Sequence, residues 1–112
     1  MAEKDVITKN LNEFLEIAGF SFKEKKYNVA VTLYYKSLVE LCDLELLNKL
    51  GKLGANHTDR FNNLKSISPE LYKIASKLFR FYRDSYNKEI SFTIAKIVRD
   101  EVKKCLKIYL KK

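Results

Sequence analysis

Chemistry in this chain has to be assembled from few parts. His57 is the only histidine, so a histidine dyad, a two-histidine metal site and a triad of two histidines with a carboxylate are excluded within one chain. Cys42 and Cys105 are far apart, match no metal-ligand spacing and sit among apolar neighbours, where a thiol packs as a small hydrophobe. Gly51 and Gly54 lack the Lys-Ser/Thr pair that completes a phosphate loop. Glu13 and Glu16 fall on a polar helix face and are read as solvating. No metal or cofactor is expected. One cluster remains: Phe79-Arg80-Phe81-Tyr82-Arg83-Asp84-Ser85-Tyr86-Asn87, in which arginines alternate with rings. Arg83 and Tyr86, three apart, share a helix face, and Asp84 supplies a carboxylate. Two readings are open. The cluster is a helix end anchored by aromatic packing and local ion pairs, or it contacts phosphate or RNA through Arg83 and Tyr86, helped by His57 from the preceding loop.

The charge is lopsided. Residues 1–50 carry seven Lys and Arg against eight acids, a net of −1, whereas residues 51–112 carry fifteen against six, a net of +9. Lys73, Lys77 and Arg80 recur at steps of four and three. Lys96, Arg99, Lys103 and Lys107 do the same further on, with Lys104, Lys111 and Lys112 nearby. Stripes of this kind neutralise phosphates and give salt-sensitive affinity. A plain solvated face is the simpler reading and a surface for an acidic protein partner a third, and the asymmetry between the halves is what raises the functional readings beside the plain one.

These residues need elements to hold them. The chain has 112 residues, a length that suits one domain spanning 1–112. Three Gly and one Pro are too few for a sandwich or barrel of many turns. From about Glu3 to Glu24, Ile7, Leu11, Phe14, Leu15, Ala18 and Phe22 recur at helical spacing and form one buried stripe. From Tyr27 to Leu50 the pattern is apolar nearly all round, the mark of a central helix packed on several sides. Gly51 and Gly54 end it. Asn56-His57-Thr58-Asp59 reads as a turn capping a short helical piece through Leu64. Ser68-Pro69-Glu70 restarts a helix, with Ser as N-cap and Pro at the first position. That helix breaks near Ser85 to Lys88, since continuing to Leu110 would make a rod of roughly 64 Å. The last helix turns Ile90, Ile94, Ile97, Val98, Val102, Cys105 and Tyr109 inward. The fold class expected is all-α, an antiparallel up-and-down bundle of four to five helices. No signal peptide opens the chain, and no stretch approaches the roughly 20 apolar residues of a membrane span. A soluble cytoplasmic protein is the expectation.

Three stretches carry a family likeness: FKEKKYNVAVTLYYKSLVELCDLELL from Phe22 to Leu47, GANHTDRFNNL from Gly54 to Leu64, and LFRFYRDSYN from Leu78 to Asn87. With the last helix they make most of the chain resemble the HEPN domains, small helical bundles named for nucleotide binding. The resemblance implies an up-and-down bundle, commonly a homodimer, that works with RNA, a nucleotide or a nucleotidyltransferase partner in toxin–antitoxin or defence systems. It also implies, for active members, an Arg with a polar neighbour and, after four to six intervening residues, a His, cleaving RNA without metal. Arg83 and Asp84 match the first part, but Lys88, Glu89 and Ile90 stand where the His belongs. The function expected is therefore a non-catalytic interaction module, with Lys73, Lys77, Arg80, Arg83, Lys96, Arg99, Lys103 and Lys107 as its nucleic-acid-binding residues. The alternative is a toxin-type ribonuclease using Arg83 with Tyr86 or His57.

Overall fold

The computed structural model describes residues 2–110; Lys111 and Lys112 lie outside them. Five helices follow one another: α1 (Glu3–Lys23), α2 (Tyr27–Leu50), α3 (His57–Ile67), α4 (Pro69–Asp84) and α5 (Phe92–Tyr109). No strand occurs among the described residues. The expected boundaries hold to within a few residues, and the short piece through Leu64 is a full helix reaching Ile67.

Local chemistry explains the ends. Gly51 takes the left-handed conformation (φ 74°) that closes α2, its N–H donating to the Leu47 carbonyl. Asn56 caps α3, its side chain accepting from the Asp59 N–H at 2.9 Å. Gly54 is required for close approach, because a Cβ there would lie 2.7 Å from the Arg60 backbone nitrogen. Ser68 stands between α3 and α4 with Pro69 at the first helical position, but its side chain makes no capping bond. The expected Ser cap is thus positional only: the backbone N–H of Ser68 closes α3 onto the Leu64 carbonyl and its carbonyl accepts from Tyr72. Ser91 caps α5 by accepting from Ile94.

Helix α2 packs against all four other helices, which is why its pattern is apolar nearly all round. Leu38, Leu41 and Cys42 are fully enclosed, as are Val31, Tyr34 and Tyr35. Against them lie Leu11 and Ala18 of α1, Leu64 of α3, Leu71, Ala75 and Leu78 of α4, and Val98, Val102 and Cys105 of α5. Burial pushes both thiols up, Cys105 to about 11. Ile97 departs from expectation. The inward stripe of α5 runs through Ala95, Val98, Val102 and Cys105, and Ile97, a 100° step from Val98, turns outward and is 39% exposed. No helix among the described residues is long and apolar enough to cross a membrane.

The connection from Ser85 to Ser91 is tied to the start of α2. The Asn28 amide donates to the carbonyls of Ser85 and Lys88 and accepts from the Ile90 N–H. The Thr32 and Ser85 hydroxyls are 2.7 Å apart. At the middle of α2, the buried Tyr35 hydroxyl donates to the Ala75 carbonyl of α4 at 2.7 Å. The end of α4 is therefore held by side chains of α2.

Candidate functional site

Helix α2 carries a line of charge on its otherwise mostly apolar surface. Lys36, Glu40 and Asp43, at steps of four and three, share a face, and α3 and α4 approach α2 there. Asp43 receives the Arg60 guanidinium of α3, Nε to Oδ1 at 2.7 Å, with the side chains only 9% and 17% exposed. A buried pair of this kind holds α3 in register, since either ion without the other is costly. Arg60 also reaches back one turn, placing Nη1 3.0 Å from His57 Nδ1. A guanidinium can only donate, so Nδ1 accepts and the proton of the neutral ring sits on Nε2. His57 thus offers an N–H and a ring face, which stacks on Phe61 with centroids 6.2 Å apart.

Opposite, α4 contributes Phe79 and Tyr82, and Tyr86 follows just beyond its end. Tyr82 stacks on the buried Tyr35 (centroids 4.7 Å, planes 20° apart) and meets Tyr86 edge-on at 5.3 Å. The two hydroxyls are 2.7 Å apart, and Lys36 Nζ donates to the Tyr82 oxygen at 3.3 Å. The hydrogen bond to Tyr82 pushes the Tyr86 phenol above its ordinary value.

Between these walls lies a cleft of about 490 Å³, faced by the rings of His57, Phe61, Phe79, Tyr82 and Tyr86 and by the hydroxyls of Thr58 and Ser76. This is within the usual size range of small-molecule sites. A second hollow of about 200 Å³ shares His57 and Tyr82 with it and is lined by Lys36, Glu40 and Arg60 together with the apolar Phe14 and Val39. Partial burial, and then the neighbouring Asp43, push the Glu40 carboxyl above its ordinary value. A third hollow, about 720 Å³ at the end of α5, is walled by Leu106, Lys107, Ile108 and Leu110 and assembles no chemistry. Among the described residues no three His, Cys, Asp or Glu side chains gather as metal ligands would.

The candidate residues distribute unevenly. His57 and Tyr86, 29 positions apart, face the same cleft. Arg83 is exposed and not part of its lining, although it stands one turn beyond Phe79 on the same flank of α4. Lys73, Lys77 and Arg80 are exposed along α4, with the Arg80 guanidinium lying 4.9 Å over the Phe81 ring. On α5 the stripe is partly committed. Lys96 and Arg99 both bond the Asp100 carboxylate, at 3.0 and 2.9 Å, and hold its carboxyl below the ordinary value. Arg99 also covers the Phe22 ring at 4.3 Å. Lys103 and Lys107 are exposed and make no ion pair among the described residues. Sequence reasoning missed Lys36, Glu40, Asp43 and Arg60. The signal was there: three charges on one line of a helix otherwise apolar nearly all round.

Compared with protein-family models, with curated proteins and with solved structures, the chain matches none.

Proposed function

We propose that this chain is a non-catalytic module that binds RNA or a nucleotide through the cleft between α3 and the end of α4. One observation carries the reading: five rings line a single cleft, and the helix that supplies two of them bears Lys73, Lys77, Arg80 and Arg83 on its exposed side. Rings accept bases by stacking, and the cations hold the phosphates, the combination used by single-strand binders. Lys103 and Lys107 of α5 extend the positive surface. The HEPN resemblance adds the finer expectations: an antiparallel up-and-down succession of the helices, a homodimer, a nucleotidyltransferase partner, a toxin–antitoxin or defence setting and a cytoplasmic location. Val6, Ile17 and Phe20, exposed on one stripe of α1, are apolar residues that a second copy would cover.

Fluorescence anisotropy with short single-stranded RNA, at about 50 and 200 mM salt, tests the binding. Affinity should fall steeply with salt, and Phe79→Ala or Tyr86→Ala should abolish most of it. No binding at the lower salt with micromolar protein overturns the reading.

The ribonuclease alternative draws support from His57 and Tyr86 sharing the cleft. Their settings argue against it. His57 Nδ1 is occupied by Arg60, and Tyr86 is moved further from the neutral range in which a general acid or base works best. Cleavage of mixed RNA that survives EDTA and disappears in Arg83→Ala would establish it.

A further inference from the structure

The smaller hollow beneath the ring cleft has an unusual balance of partners. Arg60 bonds Asp43 and His57, and Lys36 bonds the Tyr82 hydroxyl. The Glu40 carboxylate lines the same hollow, within the field of both cations, and makes no direct hydrogen bond or ion pair among the described residues. Since no buried side-chain oxygen among the described residues lacks a partner, these two oxygens are open to water, and a ligand that presents two donors side by side can replace that water. Because the hollow shares His57 and Tyr82 with the ring cleft, that ligand must also offer a flat face to rings.

Among the common bases only one meets both demands. Adenine and cytosine present a single amino group beside a ring acceptor, and uracil presents one N–H between two carbonyls. Guanine presents N1–H and the N2 amino group together, matching the two oxygens of a carboxylate. A guanidinium from an arginine-bearing peptide would also match, but the chain carries a net charge of +8, which repels a cationic partner and attracts a phosphate-bearing one.

We propose that Glu40 makes this cleft selective for guanine, its carboxylate accepting from N1–H and the N2 amino group of a base placed against Tyr82 and His57. The proposal rests on the RNA- or nucleotide-binding reading above and adds a base preference to it. Burial supports it, since a carboxylate already partly drawn out of water loses less on meeting a ligand and discriminates more strongly against a base that leaves it unpaired.

The test is anisotropy with short uridine-background RNAs of equal length that differ in one central base. The guanine strand should bind at least about tenfold tighter than the adenine strand, the discrimination expected of a bidentate contact. The inosine strand, which keeps N1–H and lacks the amino group, should fall between them. Glu40→Gln should bring the guanine and adenine strands to equal affinity, with the circular dichroism unchanged. Should that variant fail to fold, the guanine-to-inosine difference on the unaltered protein decides the matter. Competition with guanosine monophosphate separates the sources: equal potency assigns the site to free nucleotides, and a tenfold advantage for the strand assigns it to RNA, either of which supports guanine. Equal binding of guanine, inosine and adenine strands overturns the selectivity and leaves RNA binding standing. No binding of any strand or mononucleotide overturns both. Glu40-dependent capture of an arginine-rich peptide in place of RNA overturns both in favour of a protein partner.

Discussion

Two ring clusters sit in this molecule, and they do opposite things. Phe22, Tyr27 and Phe92 form a triangle with centroids 5.6, 5.7 and 5.8 Å apart, and the Arg99 guanidinium lies over Phe22. Each ring there has the other two as neighbours, so the cluster joins the α1–α2 turn to the start of α5. The second cluster, Tyr35, Phe79, Tyr82 and Tyr86, uses similar distances but fans outward from the buried Tyr35 until Tyr86 is 65% exposed. Its outer rings face His57 and Phe61 across open space. Residue type does not separate the two clusters. Nor does exposure alone, since Phe92 of the first cluster is itself 49% exposed; what differs is that the second cluster's rings line a cleft shared with His57 and Phe61.

The sharpest break in that comparison is under the open cluster. Asp43→Ala strands Arg60 in a largely buried place, and urea denaturation should show a loss of about 3–5 kcal/mol. Hydrogen exchange should then speed first in α3 while the Phe22 triangle stays protected. Next comes a matched pair of truncations. Phe22→Ala should cost about 2–3 kcal/mol, because a packed ring leaves a void. Phe79→Ala should cost less than about 1 kcal/mol, because the ring is already partly in water, yet it should remove RNA binding. Equal losses of stability in the two variants would erase the distinction.

A smaller effect comes from Glu40. Its carboxyl is raised in the folded state, so its contribution to stability is complete below the ordinary carboxyl range and is lost as pH rises through the raised value. Glu40→Gln should therefore be more stable than the unaltered protein near neutrality and lose that advantage in acid. After solvent screening the gain should be under about 1 kcal/mol. The smallest effect is spectroscopic. Tyr82→Phe removes the bond that holds the Tyr86 phenol up. Tyr86 should then ionise at lower pH in an ultraviolet absorbance titration, with stability changed by no more than about 0.5 kcal/mol.

How far such features could be read in advance depended on their range. Gly51, Asn56 and Ser68-Pro69 marked helix ends because caps and turns are local chemistry. The centrality of α2 followed from its pattern, since a helix apolar on all sides has to be covered on all sides. Ile97 misled because an isoleucine at the border of a stripe satisfies hydropathy while its direction is set by the neighbouring turn. The Asp43–Arg60 pair and the meeting of His57 with Tyr86 span 17 and 29 positions. Only the approach of α3 and α4 to α2 creates them, and no local spacing encodes that approach. The two cationic stripes looked alike in sequence, yet α5 has Asp100 within reach of Lys96 and Arg99, and α4 has no such counterion beside Lys73, Lys77 and Arg80 among the described residues.

The Asn28 amide binds Ser85, Lys88 and Ile90, roughly sixty positions later. During synthesis α1 and α2 leave the ribosome well before those partners exist, and domains tend to fold from the N-terminus as they emerge. The face of α2 that α5 will cover stays wet through that interval. A long-range clamp at the very start of α2 therefore acts as a completion signal: it can engage only after residue 90 has been made, when α5 is next to arrive.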